Sequence, residues 1–293
     1  MYELIQVANN SYYVNCPAKI GLYLCGDKGV YLIDSGNDKE AGRKVRQMLD
    51  KNGWTLRAIF CTHSHADHIG GCKYLQAQTG CKVYAAGIEC DFTRHTLLEP
   101  SFLYGGNPPK ALRHKFLMAQ ECDAHELTPD VLPEGFELIP LPGHCFDMLG
   151  FRTPDNVVFL ADCLSSRETL EKYRVGFICD VQAYIDTLEK VKELEASAFV
   201  PAHAAVCEDV RELAQYNIDT VREIEGRIVS ICAEPHNLEA ILKRLFDEYS
   251  LALSFEQYAL VGSTLRSYLA YLLDKGTLSV RCEDNMLLWE AVK

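Results

Sequence analysis

The residues with the clearest chemical meaning form one run of seven, Thr-His-Ser-His-Ala-Asp-His, at positions 62–68. The run follows an apolar strand-like segment and precedes a helical pattern, which predicts a turn between a strand and a helix. Alternate residues of an extended turn point the same way, so His63 and His65 can bind one ion together. Asp67 and His68 then face a neighbouring position. The alternative interpretation is a solvated polar turn that caps the next helix.

Three further residues of the same chemical types end strand-like segments later in the chain: His144 in Pro-Gly-His, Asp162 in Leu-Ala-Asp and His203 in Pro-Ala-His. Taken singly, each is a common turn or cap residue. Together with the first run they give five His and two Asp at the C-terminal edges of successive strands, where α/β folds build their sites. Seven nitrogen and oxygen ligands suit two divalent ions, zinc first, with iron or manganese as alternatives.

A site of this kind predicts hydrolysis. Two divalent ions about 3.5–4 Å apart lower the pKa of a shared water toward about 7 and polarise a carbonyl or phosphoryl oxygen. Asp67, oriented toward that water, is the natural group to hold it and to pass its proton to the leaving group. We therefore predict metal-assisted cleavage of an ester-like bond, with Asp67 as the catalytic carboxylate.

The elements that must position these residues alternate along the first two thirds of the chain. Strand-like runs are separated by helical patterns over residues 40–51, 70–78 and 181–194, and this interleaving predicts a mixed α/β fold. The pattern breaks down between residues 87 and 132, an irregular stretch of the length that functional segments have.

The last part of the chain changes character, with helical patterns over roughly residues 208–231, 236–248 and 255–274 and then two strand-like runs around Glu-Asp-Asn. This order predicts a small, mainly helical, winged-helix-like domain over residues 208–293, after a catalytic domain over residues 1–207. The later segment has 9 basic and 15 acidic residues, whereas a nucleic-acid reader has a basic stripe. We interpret it as a substrate lid or a dimerisation module, which leaves a homodimer open.

Composition and charge exclude several other function classes. The 293 residues include 29 Lys and Arg against 41 Asp and Glu, a net charge of −12 that argues against nucleic acid as a partner. Apolar residues make up 48% of the chain, an ordinary globular value. The sequence lacks an apolar run near the roughly 18 residues of a membrane span, and its N-terminus lacks a signal-peptide pattern. We expect a cytoplasmic enzyme with a small-molecule substrate and no membrane partner.

The thirteen cysteines are interpreted as reduced thiols, because their number is odd and no Cys-x-x-Cys pair occurs. Two of them, Cys145 and Cys163, directly follow proposed ligands. Period-2 alternation predicts that both turn away from the site into the core.

The His-Ser-His-Ala-Asp-His run, Pro-Gly-His, Ala-Asp and Pro-Ala-His together resemble the signature of the metallo-β-lactamase superfamily, over about residues 10–205. The resemblance implies an αββα sandwich with a dinuclear site, and it implies that residues 93–120 are a variable insertion. It also implies that Asp34 supports the His run from behind the ligands, although a simple turn before Gly36 explains that residue almost as well. The implied metal ligands are His63, His65 and His144 for one ion and Asp67, His68 and His203 for the other, with Asp162 bridging.

Details within the resemblance favour a glyoxalase II-like hydrolase of thioesters or esters. The commonest β-lactamase subclass has Cys where this chain has Asp162, and the oxygen-reducing diiron branch has Glu where this chain has His65. The glyoxalase II-like branch usually follows its third His with Thr-Pro-Gly. Here the residues after His144 are Cys-Phe-Asp, so the substrate class stays open.

Four functional hypotheses follow. The leading one is a dinuclear zinc hydrolase of a small thioester, ester or lactone, with Tyr104 and Arg113 of the insertion as pocket residues; a surface flap or a dimer contact explains those two equally well. The second is a phosphodiesterase or nuclease on the same metals. The third is a single iron centre on His63, His144 and Asp162, as in persulfide dioxygenases. A non-catalytic binding module is the weakest, because a structural site needs only four ligands.

Overall fold

A computed structural model describes residues 2–293 of the chain. Its first sheet contains seven strands in chain order, antiparallel from β1 to β4 and parallel from β4 to β7. The strands are β1 (Glu3–Gln6), β2 (Ser11–Asn15), β3 (Ile20–Leu24), β4 (Gly29–Ile33), β5 (Thr55–Phe60), β6 (Lys82–Ala85) and β7 (Ala124–Glu126). Because β4, β5 and β6 are parallel, the segments that follow them emerge at one edge of the sheet.

Five helices lie between the parallel strands of this sheet. They are α1 (Lys39–Asn52), α2 (Ala66–Ile69), α3 (Cys72–Thr79), α4 (Gly87–Arg94) and α5 (Leu98–Tyr104). Helix α1 begins at the cap residue Asp38, whose carboxylate accepts hydrogen bonds from two backbone N–H groups of the first turn, and it ends at Gly53 in the left-handed conformation. The predicted helix over 40–51 is therefore confirmed.

The second sheet has four strands in the order β11-β10-β9-β8, with only β10 and β11 parallel. Two helices, α6 (Arg167–Tyr173) and α7 (Val181–Lys192), connect those parallel strands. The strands are β8 (Glu137–Pro140), β9 (Leu149–Arg152), β10 (Val157–Ser165) and β11 (Ala198–His203).

Apolar side chains fill three layers around the two sheets. An aromatic layer that includes Phe60, Phe136 and Phe151 lies between the sheets. A second cluster packs α1 and α3 on the outer face of the first sheet, and a third packs α7 on the outer face of the second. This order of layers confirms the predicted αββα sandwich.

The C-terminal region consists of α8 (Arg211–Ile231), α9 (Leu238–Glu248), α10 (Phe255–Asp274) and the antiparallel strands β12 (Leu278–Glu283) and β13 (Met286–Ala291). Its helices share one buried cluster with the outer face of the second sheet. The helix–hairpin order is as expected, whereas the winged-helix arrangement and the boundary at residue 207 stay predictions. Within residues 2–293, each helix is too short or too polar to cross a bilayer.

The expectation of an irregular segment between residues 87 and 132 is wrong for its first part, which forms α4 and α5. Pro100 and the Gly105–Gly106 pair are of the residue types that commonly indicate a loop. Pro100 is the third residue of α5, where its missing N–H has no partner within the helix anyway. Gly105 ends the helix in the left-handed conformation, with φ 77°. Both residues therefore mark the ends of a helix and not its absence.

Gly143 has a backbone conformation that only glycine adopts easily, with φ +117°. A Cβ at this position would overlap the backbone of Tyr184 at the start of α7. The Gly143 carbonyl also accepts hydrogen bonds from the backbone N–H groups of Cys179 and Asp180. The residue therefore fixes the loop that carries His144 against α7.

We predict that Gly143→Ala lowers the free energy of unfolding by about 3 kcal/mol or more, because it adds both strain and a backbone clash. Urea unfolding followed by circular dichroism measures the change. The matched control is Gly226→Ala in the exposed interior of α8, where an added Cβ meets no atom within 4 Å and should stabilise the protein by about 0.5–1 kcal/mol. Equal effects of the two substitutions would contradict this view of Gly143.

Candidate metal centre

The structure brings all seven proposed ligands together at one edge of the sandwich. The run at 62–68 leaves the end of β5 and enters α2, while His203 is the last residue of β11. The side chains fall into two groups, and within each group the ligand atoms lie within 4.8 Å of one another. One contains His63, His65, His144 and also Cys145, and the other contains Asp67, His68, Asp162 and His203.

In the first group, the imidazoles of His65 and His144 face each other. His65 Nδ1 lies 3.1 Å from His144 Nε2, while His144 Nδ1 donates to the carbonyl of Phe177 at 3.0 Å. His63 Nδ1 lies 2.9 Å from Thr62 Oγ1. Because Thr62 Oγ1 donates its own proton to the carboxylate of Asp34 at 2.8 Å, it must accept from His63.

In the second group, His203 Nε2 lies 3.2 Å from one carboxylate oxygen each of Asp67 and Asp162. His68 Nε2 lies 3.1 Å from the other oxygen of Asp162. The second ring nitrogens again point away from the group: His68 Nδ1 donates to Asp34 at 2.7 Å and His203 Nδ1 to the carbonyl of Pro17 at 3.1 Å.

Asp162 reaches both groups because β10 is irregular. The strand pairing shifts register on both sides of Ala161, whose φ is +49°. Such a bulge re-aims the following side chain. Asp162 therefore lies inside a strand and not at its end, where the sequence pattern predicts it. Its Oδ2 is 3.6 Å from His144 Nε2 and 3.9 Å from His63 Nε2, so the same carboxylate that contacts the second group also lies near the first.

The pKa shifts of the histidines depend on how close each imidazole lies to a carboxylate. Burial lowers the pKa of His144 to about 3 and that of His63 well below its usual value. By contrast, the carboxylate of Asp162 raises the pKa of His203 to about 10. Burial alone would raise the pKa of Asp162, but the neighbouring imidazoles of His203 and His68 hold it well below its usual value. The carboxylates thus favour positive charge on the imidazoles that lie nearest to them.

The donor set fits divalent ions. Within the described chain, His63 Nε2, His68 Nε2 and Asp162 Oδ1 are buried without a hydrogen-bond partner, which costs free energy unless an ion binds there. His63, His68, His144 and His203 each use Nδ1 for an acceptor outside the group and so keep a lone pair on Nε2, as metal-binding histidines do.

Comparison with known protein families identifies the family of this chain. Residues 9–203 match the model of the family described as the metallo-beta-lactamase superfamily. The chain belongs to the metallo-β-lactamase superfamily. The glyoxalase II-like resemblance is confirmed as well, because curated relatives of this chain are named hydroxyacylglutathione hydrolase, which is another name for glyoxalase II.

One such relative, from Haemophilus ducreyi, is 27% identical over 217 residues, which cover 71% of this chain and 80% of that protein. One from Cereibacter sphaeroides is 30% identical over 152 residues and covers 52% and 50%. The alignment with a Bradyrhizobium relative is 46% identical but spans only 61 residues, 24% of that protein. The chain thus matches less than two thirds of several of these relatives.

Solved structures of the superfamily match nearly the whole chain. A beta-lactamase domain protein from Burkholderia ambifaria has a TM-score of 0.74 at 15% identity and covers 99% of this chain and 94% of its own. A metallo-beta-lactamase family protein from Thermus thermophilus has a TM-score of 0.71 at 16% identity and covers 100% and 98%. At this identity the likeness concerns the fold, and it includes the C-terminal helices.

Two buried glutamates contact the ligand-bearing loops, and the sequence motifs do not predict their role. Glu89 at the start of α4 accepts hydrogen bonds from the backbone N–H and hydroxyl of Ser64, at 2.9 and 2.6 Å, and from the N–H of Phe146 at 3.1 Å. It therefore ties the His63–His65 turn to the His144 loop. Carboxylates are common in any sequence, so only their three-dimensional position reveals this role.

The second is Glu99 of α5, inside the variable insertion. Its Oε1 lies 3.3 Å from His65 Nε2, and Cys145 Sγ lies 3.4 Å from the same nitrogen. Burial lowers the pKa of His65, but the adjacent carboxylates, Glu99 first, raise it to about 9. Glu99 thus gives His65 the outward partner that the other four histidines also have.

The structure corrects one cysteine prediction. Cys163 is fully buried in the core as expected, whereas the sulfur of Cys145 points toward His65 although the residue is buried. The loop after Gly143 is not a strand, so period-2 alternation does not apply there.

The two predicted pocket residues of the insertion have contacts of their own. The ring of Tyr104 packs against Phe255, and Arg113 donates to the carbonyl of Pro108. Their role as pocket residues stays a prediction.

We predict that Glu99→Ala weakens metal binding by the His63–His65–His144 group about 10- to 100-fold, because His65 loses the acceptor that orients its ring. Glu99→Gln, which keeps an acceptor oxygen, should recover most of the affinity. Competition with a chromogenic chelator measures affinity, and the visible spectrum of the cobalt-loaded protein reports ligand geometry.

The matched control for this experiment is Glu121→Ala, an exposed glutamate just beyond the insertion. It should leave the affinity and the spectrum unchanged. If Glu99→Ala keeps both within twofold of the parent while folding normally, Glu99 does not position His65.

Proposed function

We propose that the protein is a metal-dependent hydrolase that binds two divalent ions, zinc first, and cleaves a small thioester or ester, with lactones as the cyclic form of the same bond. The supporting observation is the orientation of the five histidines. Each engages one ring nitrogen with a partner outside the cluster and leaves the other facing its group. Two ions bound there would supply Lewis acidity and lower the pKa of a bound water.

Two separate ligand groups favour two ions over a single iron centre. A single centre on His63, His144 and Asp162 would leave His68, with its buried Nε2, and His203 without a function. Both imidazoles also donate a hydrogen bond from Nδ1 to an acceptor outside their group, as His63 and His144 do. The arrangement of the second group therefore supports the dinuclear site, with iron and manganese as the alternative metals.

Asp67 is the best placed general base. Its side chain is 40% exposed, compared with 10% for Asp162, so it reaches the open side of the site. It also lines a cleft of about 170 Å³ above the ligands. The imidazole of His203 holds one Asp67 oxygen at 3.2 Å, which leaves the other to orient a water and to take its proton.

The lining of this cleft favours an uncharged acyl substrate over a phosphodiester. Its walls are the apolar side chains Phe116, Leu117, Phe177 and Leu260. The carboxylates of Asp67, Glu99 and Asp162 also line it, and among its described lining residues there is no Lys or Arg. Beyond the proposed metal ions, the described part of the cleft therefore has no cationic side chain to hold the charged oxygens of a phosphodiester. The relatives named hydroxyacylglutathione hydrolase support a thioester.

We predict about two zinc ions per chain by elemental analysis and hydrolysis of thioesters or esters in preference to bis-p-nitrophenyl phosphate. A His63→Ala/Asp162→Ala double variant should lose both the metals and the activity, because it removes a ligand of the first group and the bridge. His95→Ala, an exposed histidine outside the cluster, is the matched control and should retain both.

Three results would contradict the proposal. One iron per chain with oxygen uptake would support the single-centre alternative, and faster cleavage of the phosphodiester would support a phosphodiesterase. A chain that binds no metal after growth and purification with added zinc would exclude the mechanism altogether.

A further inference from the structure

A long groove runs along the exposed side of helix α10, outside the proposed metal centre. It has a volume of about 720 Å³. One side of the groove comes from α10 between Ser263 and Lys275, and the other comes from the first residues of α7 together with Phe102 and Phe146. None of the seven proposed metal ligands is among the described residues that line it. The groove is therefore a surface feature separate from the reaction centre.

Two opposite charges in this groove have no ion-pair partner within residues 2–293. Arg266 is exposed, and its guanidinium donates to a backbone carbonyl of its own helix at 3.0 Å. Asp274, the last residue of α10, is exposed as well. By contrast, Lys275 donates to the carboxylate of Glu225 at 2.6 Å, and the carboxylate of Asp180 caps α7. Arg266 and Asp274 therefore remain open to a partner.

The two open charges are placed symmetrically about Ala270. Arg266 lies four residues before Ala270 and Asp274 four residues after it, so each is about 6 Å from it along the helix axis. All three residues line the groove. If a second α10 runs antiparallel to the first, with a two-fold axis at Ala270, Arg266 of each copy lies beside Asp274 of the other. Interfaces between two identical surfaces require this self-complementarity.

The shape and polarity of the groove also suit a helix of a second copy. Ser267 and Ala270, near the centre of the face, have short side chains, which lets two helices approach closely. At the groove, Phe102 is 38% exposed and Phe146 is 39% exposed, and their ring centroids lie 5.4 Å apart. Exposed aromatic side chains beside a patch of this kind are typical of protein interfaces. A second copy would cover them.

We propose that this face of α10 is the interface of a two-fold symmetric homodimer, in which the two α10 helices pack antiparallel about Ala270. The charge symmetry selects a second copy over an unrelated partner, because only an identical surface needs equal and opposite charges at equal distances from one residue. The interpretation of residues 208–293 as a dimerisation module agrees with this assignment. The interface lies outside the metal centre, so it can be tested whatever bond the protein cleaves.

Sedimentation velocity of the full chain tests the proposal. At micromolar concentration the parent should sediment with twice the 33.0 kDa mass of the chain. Arg266→Asp alone and Asp274→Arg alone should each raise the dimer dissociation constant about tenfold or more, because each places like charges side by side at two symmetric contacts. An equimolar mixture of the two variants should associate again, with a dissociation constant within about threefold of that of the parent, because every contact in the mixed dimer joins opposite charges.

The matched control is Arg244→Asp. Arg244 is an exposed arginine of α9 that does not line the groove, so its reversal should leave the dissociation constant unchanged. The position of the axis is tested with Ala270→Cys in a Cys282→Ser background, which lacks the one exposed cysteine of the described chain. A short bismaleimide should cross-link this variant to a dimer, whereas Ala233→Cys, exposed just beyond α8, should stay uncross-linked.

Three results would overturn the inference. A parent that stays monomeric up to about 100 μM lacks the interface. A dimer whose dissociation constant changes less than about twofold in both charge reversals uses a different face. Variants that lose the dimer but do not associate when mixed show that the antiparallel contact is wrong. Far-ultraviolet circular dichroism of each variant should match the parent, which separates loss of the dimer from loss of the fold.

Discussion

The carboxylate of Asp34 is the contact on which both ligand groups depend. It lies just beyond β4, is only 2% exposed, and accepts from the backbone N–H and hydroxyl of Thr62 and from His68 Nδ1, all within 2.8 Å. Through Thr62 it fixes the proton of His63, and directly it fixes that of His68. One buried carboxylate therefore sets the tautomer of one histidine in each group. Its removal would leave three buried donors without an acceptor, which costs more than a lost surface contact.

Glu89 performs the corresponding task for the other side of the first group. It holds Ser64 between the first two histidines and the backbone of Phe146 just after His144. Asp34 thus anchors the His run to the first sheet, while Glu89 joins it to a loop of the second. Since an αββα sandwich brings its loops together only at the sheet edges, such buried carboxylates give the site a rigidity that loops alone lack.

Local patterns made the ligand run and the long helices predictable. The spacing of the histidines is a property of seven consecutive residues, and the apolar period of 255–274 coincides with the bounds of α10. The positions of Glu89 and Glu99 depend on contacts with residues 25 or more positions away. The orientation of the Asp162 side chain depends on a bulge at Ala161, and the apolar pattern of this strand does not predict a bulge. Sequence periodicity describes regular elements, so it fails where a strand or loop departs from them.

The residues that select the substrate must be residues other than the proposed metal ligands, because the same ligand pattern suits several hydrolytic reactions. In this chain the elements beside the open side of the ligand groups come from the insertion and from the C-terminal helices: Glu99, Phe116 and Leu117 from one, Leu260 from the other. The helices share a continuous core with the second sheet. A change in their packing would therefore alter the shape of the cleft beside the ligand groups while leaving the ligand geometry, which depends on Asp34 and Glu89, in place.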